Sequence, residues 1–161
     1  MTIYLIIKIL HIISSTILFG TGMGIAFFMY RTKFTTNLQE KYYAIRNTVL
    51  ADFIFTTPAV IVQPLTGIAL IWLLGYPWDA PWLLATYVLY VFIGCFWLPV
   101  VWIQIKLRNI LAHCIQNQTD LPANYYKLFN IWFLFGFPAF LGIIVIFYLM
   151  VAKIVPFSMW P

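Results

Sequence analysis

The sequence predicts an all-α protein: a polytopic membrane four-helix bundle forming one transmembrane domain over residues 1–161, with both termini on the outer side. Three observations lead there. The composition is 64% hydrophobic and 8% charged with a mean hydropathy of +0.96, well beyond that of a water-soluble domain. Four stretches reach the roughly 20 apolar residues that a helix needs to cross hydrocarbon, at about 3–30, 49–74, 82–105 with a cytoplasmic extension to about 116, and 125–155. The cations are also unevenly placed. Arg31, Lys33, Lys41, Arg46, Lys106, Arg108 and Lys127 fall between stretches one and two or three and four, leaving Lys8 and Lys153 for the other face. The positive-inside rule then puts the basic loops in the cytoplasm of a bacterial-type inner membrane. The net charge of +5 fits that sidedness and the attraction of anionic lipid, so no nucleic-acid partner is needed to account for it.

The first stretch, MTIYLIIKILHII onward, lacks the charge order and cleavage site of a signal peptide and reads as a retained helix, with Lys8 snorkelling to the outer headgroups. At ~100° per residue, Lys8, Ser15, Leu18 and Gly22 share a side with His11, while Gly20 and Gly24 fall opposite. Gly20 and Gly24 form a small-xxx-small pattern suited to close helix approach, and Gly22 leaves room for a bulky neighbour beside the histidine. The polar stretch Arg31 to Thr48 reads as a short interfacial helix whose cations anchor it at the membrane surface.

Helix two begins near Asp52, which is expected to cap its N-terminus or pair with Arg46. Asp52, Thr56, Ala59, Gln63, Thr66 and Gly67 share one face that must look into the bundle. Pro58 and Pro64 each free a carbonyl, with Thr56, Thr57 and Gln63 placed to compensate. The GYPWDAP loop is a compact turn, with Tyr76, Trp78 and Trp82 as an interfacial aromatic belt. Helix three carries Thr86, Tyr90, Ile93, Trp97 and Gln104 on one face and Pro99 as a bend. Such a stripe builds core, and its aromatics also suit the flanks of a planar cofactor. His113 belongs to the solvated extension. Helix four, with Gly136, Pro138 and Gly142, reads as a kinked packing helix, and Cys95 and Cys114 as small packing residues outside any disulfide framework.

No His-x-x-x-His, Cys-x-x-Cys, nucleotide loop or acyl-transfer triad occurs, which removes hydrolase and NTPase readings. An imidazole inside hydrocarbon is by default a functional hypothesis. His11 is thus the candidate proximal ligand of a haem b iron, with Lys8 one turn away for a propionate. Ser15, Gly22 and Gln63 complete the candidate cofactor-binding set.

The phrases LHIISSTILFGTGMGIAFFM, ADFIFTTPAVIVQPLTGIALIWLLGYPWDAPWLL, CFWLPVVWIQIKLRNI and GFPAFLGIIVIFYLMVAK resemble an uncharacterised bacterial family of integral membrane proteins, a domain of unknown function. More distantly, the layout is similar to the HemJ-type membrane protoporphyrinogen oxidases, four-helix haem-b proteins. Leu10-His11, Thr57-Pro58-Ala59 and the tail from Val151 to Phe157 carry that resemblance. It implies that His11 stands where that family ligates haem. The lysine those enzymes carry early in helix three aligns with Thr86 here, and their basic, tyrosine-containing exit from helix one is missing, so the resemblance implies haem ligation more than porphyrinogen oxidation.

The leading expectation is a haem-b protein serving redox or haem-related chemistry. A first alternative is a non-catalytic membrane subunit or assembly factor, with a homodimer or larger membrane complex as its setting and His11, Gln63 and Asp52 as structural groups. A second is a small-solute or proton carrier using Asp52, Thr56 and Gln63.

Overall fold

The computed structural model describes residues 2–153 and, among them, only helices. α1 spans Thr2–Arg31 and ends in a short 3-10 turn, Thr32–Phe34. α2 (Leu38–Ala51) passes through a wide π turn, Asp52–Thr56, directly into α3 (Thr57–Leu74). α4 (Pro81–Asn117) and α5 (Ala123–Ala152) follow. Four helices, Thr2–Phe34, Leu38–Leu74, Pro81–Asn117 and Ala123–Ala152, are long and apolar enough to cross a membrane. Trp72, Val88 and Leu134 are 75%, 70% and 67% exposed, as a lipid-facing surface requires and an aqueous one does not tolerate. The portion of the Val151 to Phe157 tail from residue 154 onward, including the last residues of the expected fourth helix, lies outside the described residues.

The expected interfacial helix is a correction. No break in the helix separates this stretch from helix two. Asn37 caps α2, its side chain accepting from the Gln39 and Glu40 backbone N–H groups, and the helix then runs unbroken to Leu74. α2 buries Lys41, Ile45, Thr48 and Val49, chiefly against α4. Asp52 therefore sits mid-helix and caps nothing. It also does not pair with Arg46, because six residues of helix turn the two about 120° apart, one buried and one exposed.

The packing differs between the two ends. At the basic end, Met29, Ile45, Leu107, Leu111, Tyr125, Phe129 and Trp132 form a continuous core joining α1, α2, α4 and α5. At the far end a small cluster of Ile71, Ala80, Trp82 and Leu83 takes in Tyr76 and Met150. Trp82, expected in an interfacial belt, is instead 7% exposed and edge-on to Tyr76, whereas Trp78 is exposed. Gly75 ends α3 at φ +66°, with its N–H on the Ile71 and Trp72 carbonyls, a left-handed cap that glycine adopts without strain. Lys153 donates to the Tyr76 hydroxyl, tying the end of α5 to this loop.

Between the ends, α1 packs on α3 and α4 on α5, with little contact across the two pairs. Close approach occurs where Gly142 meets Ile93. Gly20 and Gly24 do not act this way: nothing lies within 4 Å of a β-carbon built on either. Across the gap, Phe19 stacks on Phe140 at 5.1 Å and tilts against Phe147 at 5.6 Å. Tyr90 donates to the Val60 carbonyl, the group that Pro64 leaves without an intrahelical donor. That compensation comes from α4 and not from the threonines or glutamine of helix two.

Candidate binding site

Two polar clusters interrupt the apolar interior. The first joins α1 to α3. His11 Nδ1 lies 2.9 Å from Thr66 Oγ1, and Nε2 lies 3.1 Å from Gln63 Nε2. An amide nitrogen can only donate, so Nε2 accepts from Gln63 and Nδ1 carries the hydrogen given to Thr66. The Thr66 hydroxyl donates to the Val62 carbonyl at 2.7 Å. Ser14 donates to Gln63 Oε1 and also lies 3.0 Å from the His11 carbonyl. The imidazole rests against Gly67, where a β-carbon would stand 3.3 Å from Cε1. Both ring nitrogens thus have protein partners, and the cluster closes on itself.

The second cluster lies in a chamber of about 280 Å³ between the two helix pairs, bounded by α1, α3, α4 and α5. That volume approaches the lower end of small-ligand pockets, about 300 Å³. Its walls are apolar and rich in rings, among them Tyr90, Trp97, Phe137, Phe140 and Phe147. Gly22, Gly94 and Gly136 widen it, since nothing lies within 4 Å of a β-carbon built on any of the three.

Toward the basic end the chamber meets Asp52, Thr56, Gln104 and Trp132. Asp52 is 3% exposed and Gln104 fully buried. Trp97 Nε1 makes a long contact of 3.5 Å with Asp52 Oδ1. Asp52 Oδ2, Thr56 Oγ1, both Gln104 side-chain heteroatoms and Trp132 Nε1 make no hydrogen bond of normal geometry, although the Thr56 and Gln104 side chains lie beside the Asp52 carboxylate. Such groups are expensive to bury unpaired, at about 1–3 kcal/mol each, and most buried polar atoms in folded proteins avoid it. The π turn contributes directly. The Thr57 N–H reaches back to the Asp52 carbonyl, and both ends of this widened turn, Asp52 and Thr56, are buried on the chamber side. Single π turns of this kind recur at functional sites.

The five residues singled out from the sequence separate into three places. Ser15, Gly22 and Gln63 line the chamber. His11 touches Gln63 from the far side and does not line it. Lys8 is exposed, its ammonium 5.5 Å over the Tyr4 ring. Ser14, not Ser15, bonds Gln63, while the Ser15 hydroxyl turns to the Ile12 carbonyl at 2.8 Å. Ser14 and Ser15 flank the His11 direction on either side, and α3 packs on the Ser14 side. In the sequence Asp52 reads as a cap and as part of the carrier alternative, Gln104 as a stripe residue of helix three, and Trp132 has no role. The first two belong to separate stripes, Asp52-Thr56-Gln63 and Trp97-Gln104, which only the helix pairing brings together. Among the described residues no group of three or more His, Cys, Asp and Glu side chains is placed to hold a metal ion.

Residues 5–154 match a family described as "Predicted integral membrane protein (DUF2269)", and the chain belongs to that family. No curated protein and no solved structure matches the chain.

Proposed function

We propose that this family member binds a lipid-soluble small molecule with a hydroxyl head on an apolar body, held in the chamber between the helix pairs. The observation that carries the proposal is the unpartnered polar floor of an otherwise apolar chamber. Asp52 Oδ2 and Gln104 Oε1 accept, while Trp132 Nε1 and Gln104 Nε2 donate. A hydroxyl or phenol satisfies both kinds at once, and the ring-rich walls suit an alkyl or aromatic body. The carrier reading drew on the same Asp52, Thr56 and Gln63 side chains. The apolar walls favour a lipid-soluble ligand over a hydrated solute or ion.

Haem b ligated by His11 does not fit this arrangement. An axial ligand must turn a free nitrogen lone pair to the iron. Here the Nε2 lone pair receives the Gln63 amide, Nδ1 donates to Thr66, and the ring stands outside the chamber. The closed cluster supports a helix-joining part for His11, and the purified protein is expected to be colourless, without a Soret band.

The test is thermal unfolding in mild detergent with para-octylphenol or, as the headless control, octylbenzene. The phenol is expected to raise the unfolding temperature and octylbenzene to have little effect. Gly94→Leu, which fills open space, is expected to abolish the shift while leaving the fold intact. Equal shifts from both compounds, or a full shift in Gly94→Leu, would contradict the proposal.

A further inference from the structure

We infer that a second pocket, at the basic end where the α1–α2 link meets α5, is a binding site for a phosphate group. It measures about 240 Å³ and is lined by Thr32, Lys33, Lys41, Tyr125, Phe129 and Asn130, among others. Lys41, expected to be a surface anchor, is only 7% exposed. Its ammonium donates one hydrogen bond, 2.6 Å to the Thr32 carbonyl, and an ammonium has three to give. Adjacent Glu40 does not neutralise it: Glu40 is exposed, and its carboxylate accepts from Thr35 at 2.5 Å. Tyr125 is 2% exposed, and its hydroxyl, beside the Thr32 side chain, makes no hydrogen bond of normal geometry. Lys33 adds a second cation near the rim, 5.2 Å over Phe129 and 5.3 Å over Phe133.

A buried charge needs a partner of opposite sign, and this pocket collects donors without a carboxylate among its lining residues. Two ammonium groups, a phenol and the Asn130 amide would fill every lone-pair site of a carboxylate, about four in number. A phosphate offers more acceptor oxygens, with charge-assisted bonds to both lysines. The pocket lies beside the polar first half of α2, on the end that carries seven of the nine cations. Two sources present this group there: the headgroup of an anionic phospholipid and free phosphate.

The experiment uses the full chain in detergent. Binding is read by native mass spectrometry with phosphatidylglycerol, with phosphatidylcholine as the zwitterionic control, and by calorimetry with inorganic phosphate. Wild type is compared with Lys41→Met, Tyr125→Phe and, as a control for general basicity, the exposed Arg46→Gln. Lys41→Met is expected to weaken binding about ten- to a hundredfold and Tyr125→Phe by less, with Arg46→Gln close to wild type. Phosphatidylglycerol binding with that pattern assigns a lipid headgroup, and inorganic phosphate binding with the same pattern assigns a free anion. No binding of either, or equal losses in Lys41→Met and Arg46→Gln, would overturn the inference. Tyr125→Phe keeps the test decisive should Lys41→Met fail to fold, since it removes one hydroxyl and leaves the packing intact.

Discussion

The His11 cluster and the Asp52–Gln104 cluster are both polar islands in an apolar bundle, yet one is closed and the other open. In the first, each group hands its hydrogen to the next, from Ser14 through Gln63 and His11 to Thr66 and the Val62 carbonyl. In the second, five buried polar atoms on residues that line one chamber make no hydrogen bond of normal geometry. Between helices already surrounded by lipid tails, apolar burial supplies little net attraction, so a closed network is one of the few ways to join α1 to α3. An open one spends stability that only a ligand returns. The comparison teaches that the histidine, the most conspicuous residue in the sequence, lies in a closed helix-joining network, while less conspicuous amide, carboxylate and indole groups lie on the walls of the chamber.

The comparison can be broken at several points. The largest effect is expected at Gly67, where a leucine would drive into the His11 ring and force α1 from α3, costing about 3 kcal/mol by overpacking. The same change at Gly94 enters open space and should cost far less, as unfolding temperatures in detergent would show. Gln63→Leu is expected to lower stability by about 2 kcal/mol, because it leaves the His11 Nε2 unpaired and Ser14 with only the His11 carbonyl. Gln104→Leu should do the opposite and raise stability by about 1 kcal/mol, since it removes two unpartnered buried atoms and keeps the volume. Tyr90→Phe gives the smallest loss, about 1 kcal/mol or less, by orphaning the Val60 carbonyl that Pro64 freed. Loss of stability in both glutamine variants would erase the distinction between the clusters.

Much of the scaffold was legible because hydropathy and helix length are local properties. The four spans, the buried Gln63 face and the solvated His113 all follow from periodicity and composition. The continuous α2–α3 helix was not legible, because Arg31 to Thr48 is polar enough to read as surface, and only its packing against α4 shows Lys41 and Thr48 to be buried. Gln63, Gly22 and Ser15 line the chamber, but the choice between Ser14 and Ser15 as the partner of Gln63 depends on which neighbour α1 meets. Asp52 read as a cap because a carboxylate before an apolar run usually is one, and its burial follows instead from continuing the buried α2 face of Ile45, Thr48 and Val49.

The most direct test of the account is the unfolding temperature of Gln104→Leu measured with and without para-octylphenol. The open-cluster reading predicts a variant more stable than wild type when free and no longer stabilised by the phenol. A variant less stable than wild type that still responds fully to the phenol would show that Gln104 holds the fold together and that the floor of the chamber is not where a ligand is bound.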